Sequence, residues 1–162
     1  MHLFVAIGFW GFLAFCAAPM PEAGETIIGR ASVIDGDTLE IRRERIRLHG
    51  IDAPEAAQHC QDAAGDSSPC GRRAALALAA RIGAANVECL PTDQDRYGRT
   101  VAVCWLAGED LNAWMVESGW AMAYRRYSLD YVPQEEAAKT AKRGMWRGRF
   151  VEPWRYRAGD RQ

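Results

Sequence analysis

Two short stretches of the chain carry residue types suited to chemistry on a phosphate ester. The first runs Ile34-Asp35-Gly36-Asp37-Thr38 and continues through Arg47 to Asp52-Ala53-Pro54-Glu55; the second is Asp95-Arg96-Tyr97-Gly98-Arg99. Carboxylate and carbonyl oxygens are the ligands that hard divalent cations such as Ca²⁺ take. A further carboxylate, Glu55, is available to position or deprotonate a water. Arg47 and Arg99 supply planar forks that match phosphate oxygens in two-point fashion. Charge that builds on a phosphoryl group needs such fixed positive partners. A few such oxygens leave several positions of the cation to water and substrate. So sparse a site should hold Ca²⁺ weakly, in the ~10⁻⁴–10⁻³ M range.

Each piece also has a plainer reading. Asp35-Gly36-Asp37 suits a tight turn, and Glu55 suits a loop surface. Arg47 suits an ion pair on an exposed strand face, and Arg99 a turn position after Gly98. The set is what favours the chemical reading. Asp52 and Glu55 come at the end of the strand expected to carry Arg47, and Pro54 stiffens the turn before Glu55. His49 and His59 form no Ser-His-Asp arrangement, which argues against serine-hydrolase chemistry.

The elements that must position these residues are legible in the pattern. Segments 25–35 and 37–43 read as strands with Gly36 at the turn. Arg45, Arg47 and His49 alternate with Ile46, Leu48 and Ile51, which predicts a half-buried strand with Arg47 on its polar face and Gly50 breaking the step. After a polar loop over 58–69, Ser68 as cap and Pro69 at the first position predict a helix to Ile82, with Ala75, Leu78, Ala79 and Ile82 on one face. Segments 87–91 and 100–106 are the next strand pair. Asp110 caps a second helix carrying Leu111, Trp114 and Met115, ended by Gly119. A third spans 133–143, acidic in its first turn and basic in its last. Trp105, Trp114 and Trp120 are expected in the core. Five short strands with a helix after the third predict an α+β fold, a five-stranded Greek-key barrel of the OB type with three α-helices.

The 162 residues divide into a leader over 1–21, one domain over 25–150 and a tail over 151–162. Leu3 to Phe15 is unbroken by charge, Cys16-Ala17-Ala18 offers small residues for cleavage, and Pro19 and Pro21 end the run short of a membrane span. The expected location is therefore secreted or periplasmic, with an uncleaved anchor as the alternative. Beyond the leader stand Cys60, Cys70, Cys89 and Cys104. Four cysteines allow three pairings. Cys60 and Cys70 flank one loop and Cys89 and Cys104 lie in neighbouring strands, which predicts those two disulfides. A zinc site at His59 and Cys60 is the rival, though no pair of cysteines has the close spacing zinc favours. The net charge of −1 decides nothing, but residues 120–162 hold ten Lys/Arg against five Asp/Glu. That basic end either attracts a polyanion or is a solvated face. The alternating tail Trp146-Arg147-Gly148-Arg149-Phe150 and Trp154-Arg155-Tyr156-Arg157 suits stacking on single strands. It suits better a strap packed on the barrel, with its arginines in water.

Taken in order, these motifs resemble the staphylococcal-nuclease-like (thermonuclease) family over roughly residues 31–146. The resemblance rests on Val33 to Thr38, Arg47 to Glu55, Asp95 to Arg99, Gly108 to Ala113 and Gly119-Trp120-Ala121. It implies an OB barrel with three helices. It implies Asp37 and Asp52 as calcium ligands with the backbone carbonyl of Ala53, where many relatives carry Thr. It implies Arg47, Glu55 and Arg99 as the catalytic set, Asp35 as support for the metal loop, and Tyr97, Tyr124 and Tyr127 against the nucleotide. It also implies a Ca²⁺-dependent endonuclease acting on DNA and RNA, with a liking for unpaired strands and 3′-phosphate products. No stable protein partner is expected, and the default is a monomer. The competing reading is a non-catalytic extracytoplasmic module that binds nucleic acid or a partner. The joint presence of Arg47, Glu55 and Arg99 favours the enzyme.

Overall fold

The computed structural model describes residues 24–160, so the leader expected over 1–21 lies outside them. Three strands open the fold: β1 (Ile27–Asp35), β2 (Thr38–Ile41) and β3 (Glu44–Leu48). Three two-residue strands follow, β4 (Ile51–Asp52), β5 (Cys60–Gln61) and β6 (Ser67–Ser68), and then α1 (Cys70–Ile82). Next come β7 (Asn86–Gln94), β8 (Thr100–Leu106), β9 (Glu109–Asp110) and α2 (Leu111–Glu117). The rest is β10 (Met122–Ala123), α3 (Val132–Thr140), a 3₁₀ turn over Gly144–Arg147, and α4 (Pro153–Arg157).

Strands β1, β2, β3, β7 and β8 close the expected five-stranded barrel. The order β3-β2-β1-β7-β8 is antiparallel, and a parallel β3–β8 pair (Ile46 opposite Thr100, Leu48 opposite Ala102) seals it. Alternation puts Leu39, Ile41, Ile46, Leu48, Val87, Ala102 and Cys104 inside, where α1 and α2 add Leu78, Ile82, Leu111, Met115 and Val116. Burying a Leu or Ile side chain contributes about 1.5–3 kcal/mol, so this cluster is the main source of stability. The seam between β3 and β8 is bound by Asn112, which is fully buried. Its Nδ2 donates to His49 O (2.9 Å) and Ala102 O (3.2 Å), and its Oδ1 accepts from the Cys104 N–H (3.1 Å). Asn112→Ala should cost about 1–3 kcal/mol for each buried group it leaves unpaired. Urea unfolding measures that loss, and an unchanged midpoint contradicts the role.

Several local expectations shift. The helix predicted from Ser68 starts at Cys70, because Ser68 is taken into β6, and Pro69 stands at the N-cap without a side-chain hydrogen bond. The buried face of α1 is Gly71, Ala74, Leu78 and Ile82, while Ala79 is exposed. The third helix ends at Thr140 and not at 143, since Lys142 takes a left-handed φ of 50° and Arg143 N–H donates back to Ala138 O. A fourth helix, α4, forms from the tail. Trp105, Trp114 and Trp120 are half-buried, because the barrel is narrow and filled by aliphatic side chains. The tail is the expected strap: Trp146, Phe150 and Trp154 pack on Cys60, Cys70, Met122 and Met145.

Both expected disulfides form, Cys60–Cys70 and Cys89–Cys104, with Cα separations of 5.6 and 4.0 Å. They overturn the zinc alternative, since Cys60 is bonded and His59 Nδ1 lies 3.0 Å from Ser67 Oγ. Two disulfides fit an oxidising, extracytoplasmic compartment.

Candidate active site

The hairpin register places the first half of the site. Thr38 lies opposite Arg47, so Asp37, one residue earlier, sits at the same end of the hairpin. Leu48 N–H donates to Asp37 O (2.8 Å) and fixes that end. Gly50, at a φ of 71° that suits glycine, then turns the chain back so that β4 delivers Asp52 beside β10. One guanidinium joins the two acids. Arg47 Nη1 donates to Asp37 Oδ1 (2.7 Å) and Nη2 to Asp52 Oδ1 (2.8 Å). Asp37 Oδ2 accepts from the Ala53 N–H (2.9 Å), and Asp35 Oδ1 accepts from the Asp37 N–H (3.0 Å). Asp37, Asp52 and Ala53 are buried.

Burial pushes the Asp37 carboxyl up from its ordinary value, with Asp35 and Asp52 adding to the rise and Arg47 opposing it. Burial works against the Arg47 charge, but Asp37 and Asp52 beside it prevail and hold its pKa above the ordinary value. Arg47 is therefore a fixed cation between two acids.

Glu55 is held by its loop. Its N–H donates to Gln58 Oε1 (3.2 Å), and its carbonyl accepts from the Gln58 N–H (2.7 Å). Gln58 is fully buried, and its Nε2 donates to Val151 O (2.7 Å) in the tail. At the start of α1, a Cβ on Gly71 would stand 1.8 Å from Glu55 O. Only glycine lets the helix come this close to the loop, and the Cys60–Cys70 disulfide ties the same two segments.

Arg99 enters from the turn between β7 and β8. Asp95 shapes that turn: Oδ1 accepts from the N–H groups of Tyr97 (2.9 Å) and Arg99 (3.0 Å), and Oδ2 accepts from Arg99 Nε (2.7 Å). Burial works to raise the Asp95 carboxyl, but the hydrogen bonds from Arg99 and Tyr97 and the Arg99 charge together outweigh it and hold the group below its ordinary value. Arg99 Nη1 reaches Thr38 Oγ1 (3.5 Å), whose hydroxyl donates to Asp37 Oδ1 (3.1 Å). Arg99 thus joins at the rim, one hydroxyl from Asp37.

The aromatic residues divide into two groups. Tyr97 is 70% exposed and lies beneath the guanidinium groups of Arg96 and Arg99. Tyr124 follows β10, meets Tyr127 edge-on (4.9 Å) and stacks on Trp154 (5.5 Å, 3°). No ring contact among the described residues joins Tyr97 to the other two.

Arg157 was not expected here, since the tail arginines were placed in water. Its Nη1 donates to Glu55 Oε1 (2.7 Å) and Asp52 Oδ1 (3.0 Å), and its Nη2 to Asp52 Oδ2 (2.8 Å). The aromatic–arginine alternation marked the segment, but no spacing rule links position 157 to position 52. Gln58 and Gly71 were missed as well, since a lone Gln and a helical Gly carry no chemical signal.

Two buried carboxylates and a neighbouring carbonyl are hard oxygen donors, with no sulfur or imidazole among them. That set fits Ca²⁺ and not zinc. Among the described residues no group of three or more His, Cys, Asp or Glu side chains forms a cage.

The closed OB-type barrel carries two acids, a clamped arginine and a glutamate at one rim, a set suited to a phosphodiester-cleaving hydrolase. The chain belongs to the staphylococcal nuclease family: the family model described as "Staphylococcal nuclease homologue" matches residues 45–148. The chain is 44% identical over 128 residues to the succinoglycan biosynthesis protein ExoI of Rhizobium meliloti, covering 77% of this chain and 67% of that one. It is 31% identical over 147 residues to a micrococcal nuclease of Shigella flexneri (80% and 79%). It is 31% identical over 137 residues to an uncharacterized endonuclease of Haemophilus influenzae (80% and 71%).

Proposed function

We propose that the protein is an exported, Ca²⁺-dependent endonuclease that cuts DNA and RNA with a preference for unpaired strands. The observation that carries this reading is the clamp of Arg47 between Asp37 and Asp52, with Glu55 on the following turn. Asp37, Asp52 and the Ala53 carbonyl would hold Ca²⁺, which when bound supplies positive charge against the phosphoryl oxygens. Glu55 accepts a proton from the attacking water as its oxygen bonds to phosphorus. Arg47 and Arg99 grip the non-bridging oxygens and balance their growing charge. The P–O5′ bond breaks, the 5′-oxygen takes a proton from solvent, and a 3′-phosphate remains. Tyr97, Tyr124 and Tyr127 offer faces to the nucleotide.

The hairpin turn supports a polyanionic substrate. Arg42 and Arg43 occupy left-handed φ angles of 52° and 70°, where glycine or asparagine is the usual choice. With Arg45 they line an open cleft shared with Tyr97 and Arg99. Such a basic cleft tracks a nucleic-acid backbone. Export rests on the disulfides and on the apolar residues 3–15. A monomer without a stable protein partner suffices, since one chain supplies the whole set.

Ca²⁺-dependent cutting of denatured DNA and RNA, lost in EDTA and yielding 3′-phosphate ends, is the expected result. A folded protein that retains DNA without cutting it favours the binding-module reading.

A further inference from the structure

The tail lies across the site in two places. Arg157 engages both oxygens of Asp52 and one of Glu55, and Trp154 covers a face of Tyr124. Asp52 is fully buried and already accepts from Arg47, so three of its lone-pair positions are in use. Burial opposes the Arg157 charge, but its hydrogen bonds to Asp52 and Glu55 keep the guanidinium pKa above its ordinary value. Arg157 is thus a cation seated on a proposed metal ligand and the proposed base at once.

We propose that Arg157 is a built-in competitor for the divalent cation, and that α4 is a latch released when the cation takes Asp52. The proposal rests on the metal site assigned above. A cation ligated by Asp52 lies about 2.3–2.6 Å from the carboxylate oxygen. The Arg157 nitrogens sit 2.8–3.0 Å from the same oxygens. Two positive centres on one buried carboxylate repel strongly, because little water screens them. One of them leaves, and Arg157 is the one able to do so. Arg47 is rooted in the barrel, whereas α4 has five residues at the end of the described chain.

The first turn of α4 is anchored, with Pro153 buried and Trp154 packed on Cys60, Cys70, Met122 and Met145, whereas Arg157 stands at the far end of the helix. Trp154 stacks on Tyr124, Tyr156 Oη donates to Ala57 O (3.4 Å), and Gln58 Nε2 anchors Val151 upstream. Arg155 pairs with Glu152 and Asp160, inside the tail itself. The end of α4 that carries Arg157 lies beyond those anchors and can open locally without unfolding the barrel. Release of Arg157 frees Asp52 for the cation and Glu55 for water.

Calorimetric titration of Ca²⁺ into wild type, Arg157→Ala and Arg157→Lys tests the latch, with hydrogen exchange of residues 150–160 followed alongside. A closed latch weakens apparent affinity by the fraction of molecules that are open, so Arg157→Ala should bind Ca²⁺ about 10-fold tighter or more. Arg157→Lys, which keeps the charge but not the fork, should fall between. In wild type, Ca²⁺ should speed exchange in 150–160; in Arg157→Ala exchange should be fast without it. Equal or weaker affinity in Arg157→Ala, with the tail still protected in Ca²⁺, overturns the latch and leaves the metal site standing. No heat of binding in any of the three folded proteins overturns the metal site and the latch with it.

Discussion

Glu55→Gln should keep nucleic-acid binding and lose cleavage, with single-turnover rates down by about 10²–10⁴-fold. Glutamine preserves the size of the side chain and its acceptor oxygen, but it cannot take the proton of the attacking water. The surrounding loop should stay in place. Its backbone is held by Gln58 and by the close approach of Gly71, and neither contact uses the Glu55 carboxylate. Retention on single-stranded DNA at matched salt separates binding from chemistry. Cutting at the wild-type rate rejects Glu55 as the base.

Arg47→Ala is the second large effect, and its cause is double. On the proposed mechanism it removes a fixed donor to the phosphate, worth about 10²–10³-fold in turnover. It also leaves Asp37 and Asp52 buried without the cation between them. Burial already pushes Asp37 toward its neutral form, and without Arg47 that tendency strengthens. Arg47→Lys should not restore the rate, because an ammonium cannot donate to both acids in the geometry of the fork. A lysine variant with near wild-type turnover contradicts this account. Thermal unfolding in the same buffers shows whether the barrel persists.

The barrel was legible because its strands alternate cleanly. Ile46 and Leu48 point inward, so Arg47 between them has only the rim to face. The turns at Gly36 and Gly50 place Asp37 and Asp52 at one end of the hairpin, but taken alone Asp35-Gly36-Asp37 reads as a tight turn, and the acids' roles came from the family resemblance. The disulfides followed from loop and hairpin proximity. Long-range contacts escaped, for a physical reason. The bond from Arg157 to Asp52 spans 105 positions and depends on how the strap crosses the barrel. That path is set by Trp146, Phe150 and Trp154 packing on Cys60, Cys70, Met122 and Met145. A sequence pattern marks such aromatics as buried, but it does not say against what. Gln58 and Gly71 escaped for the complementary reason: their work is to bring two backbones together, and neither residue type signals it.

The central claim is that Asp37 and Asp52 hold the cation on which cutting depends. The most direct measurement is the rate of cleavage of denatured DNA against Ca²⁺ concentration, for wild type beside Asp52→Asn. Wild type should be silent in EDTA and saturate near ~10⁻⁴–10⁻³ M Ca²⁺, the range for a site with few protein ligands. Asp52→Asn should stay far below the wild-type rate across that range. Cutting in EDTA, or an Asp52→Asn curve that overlays the wild type, would contradict the claim.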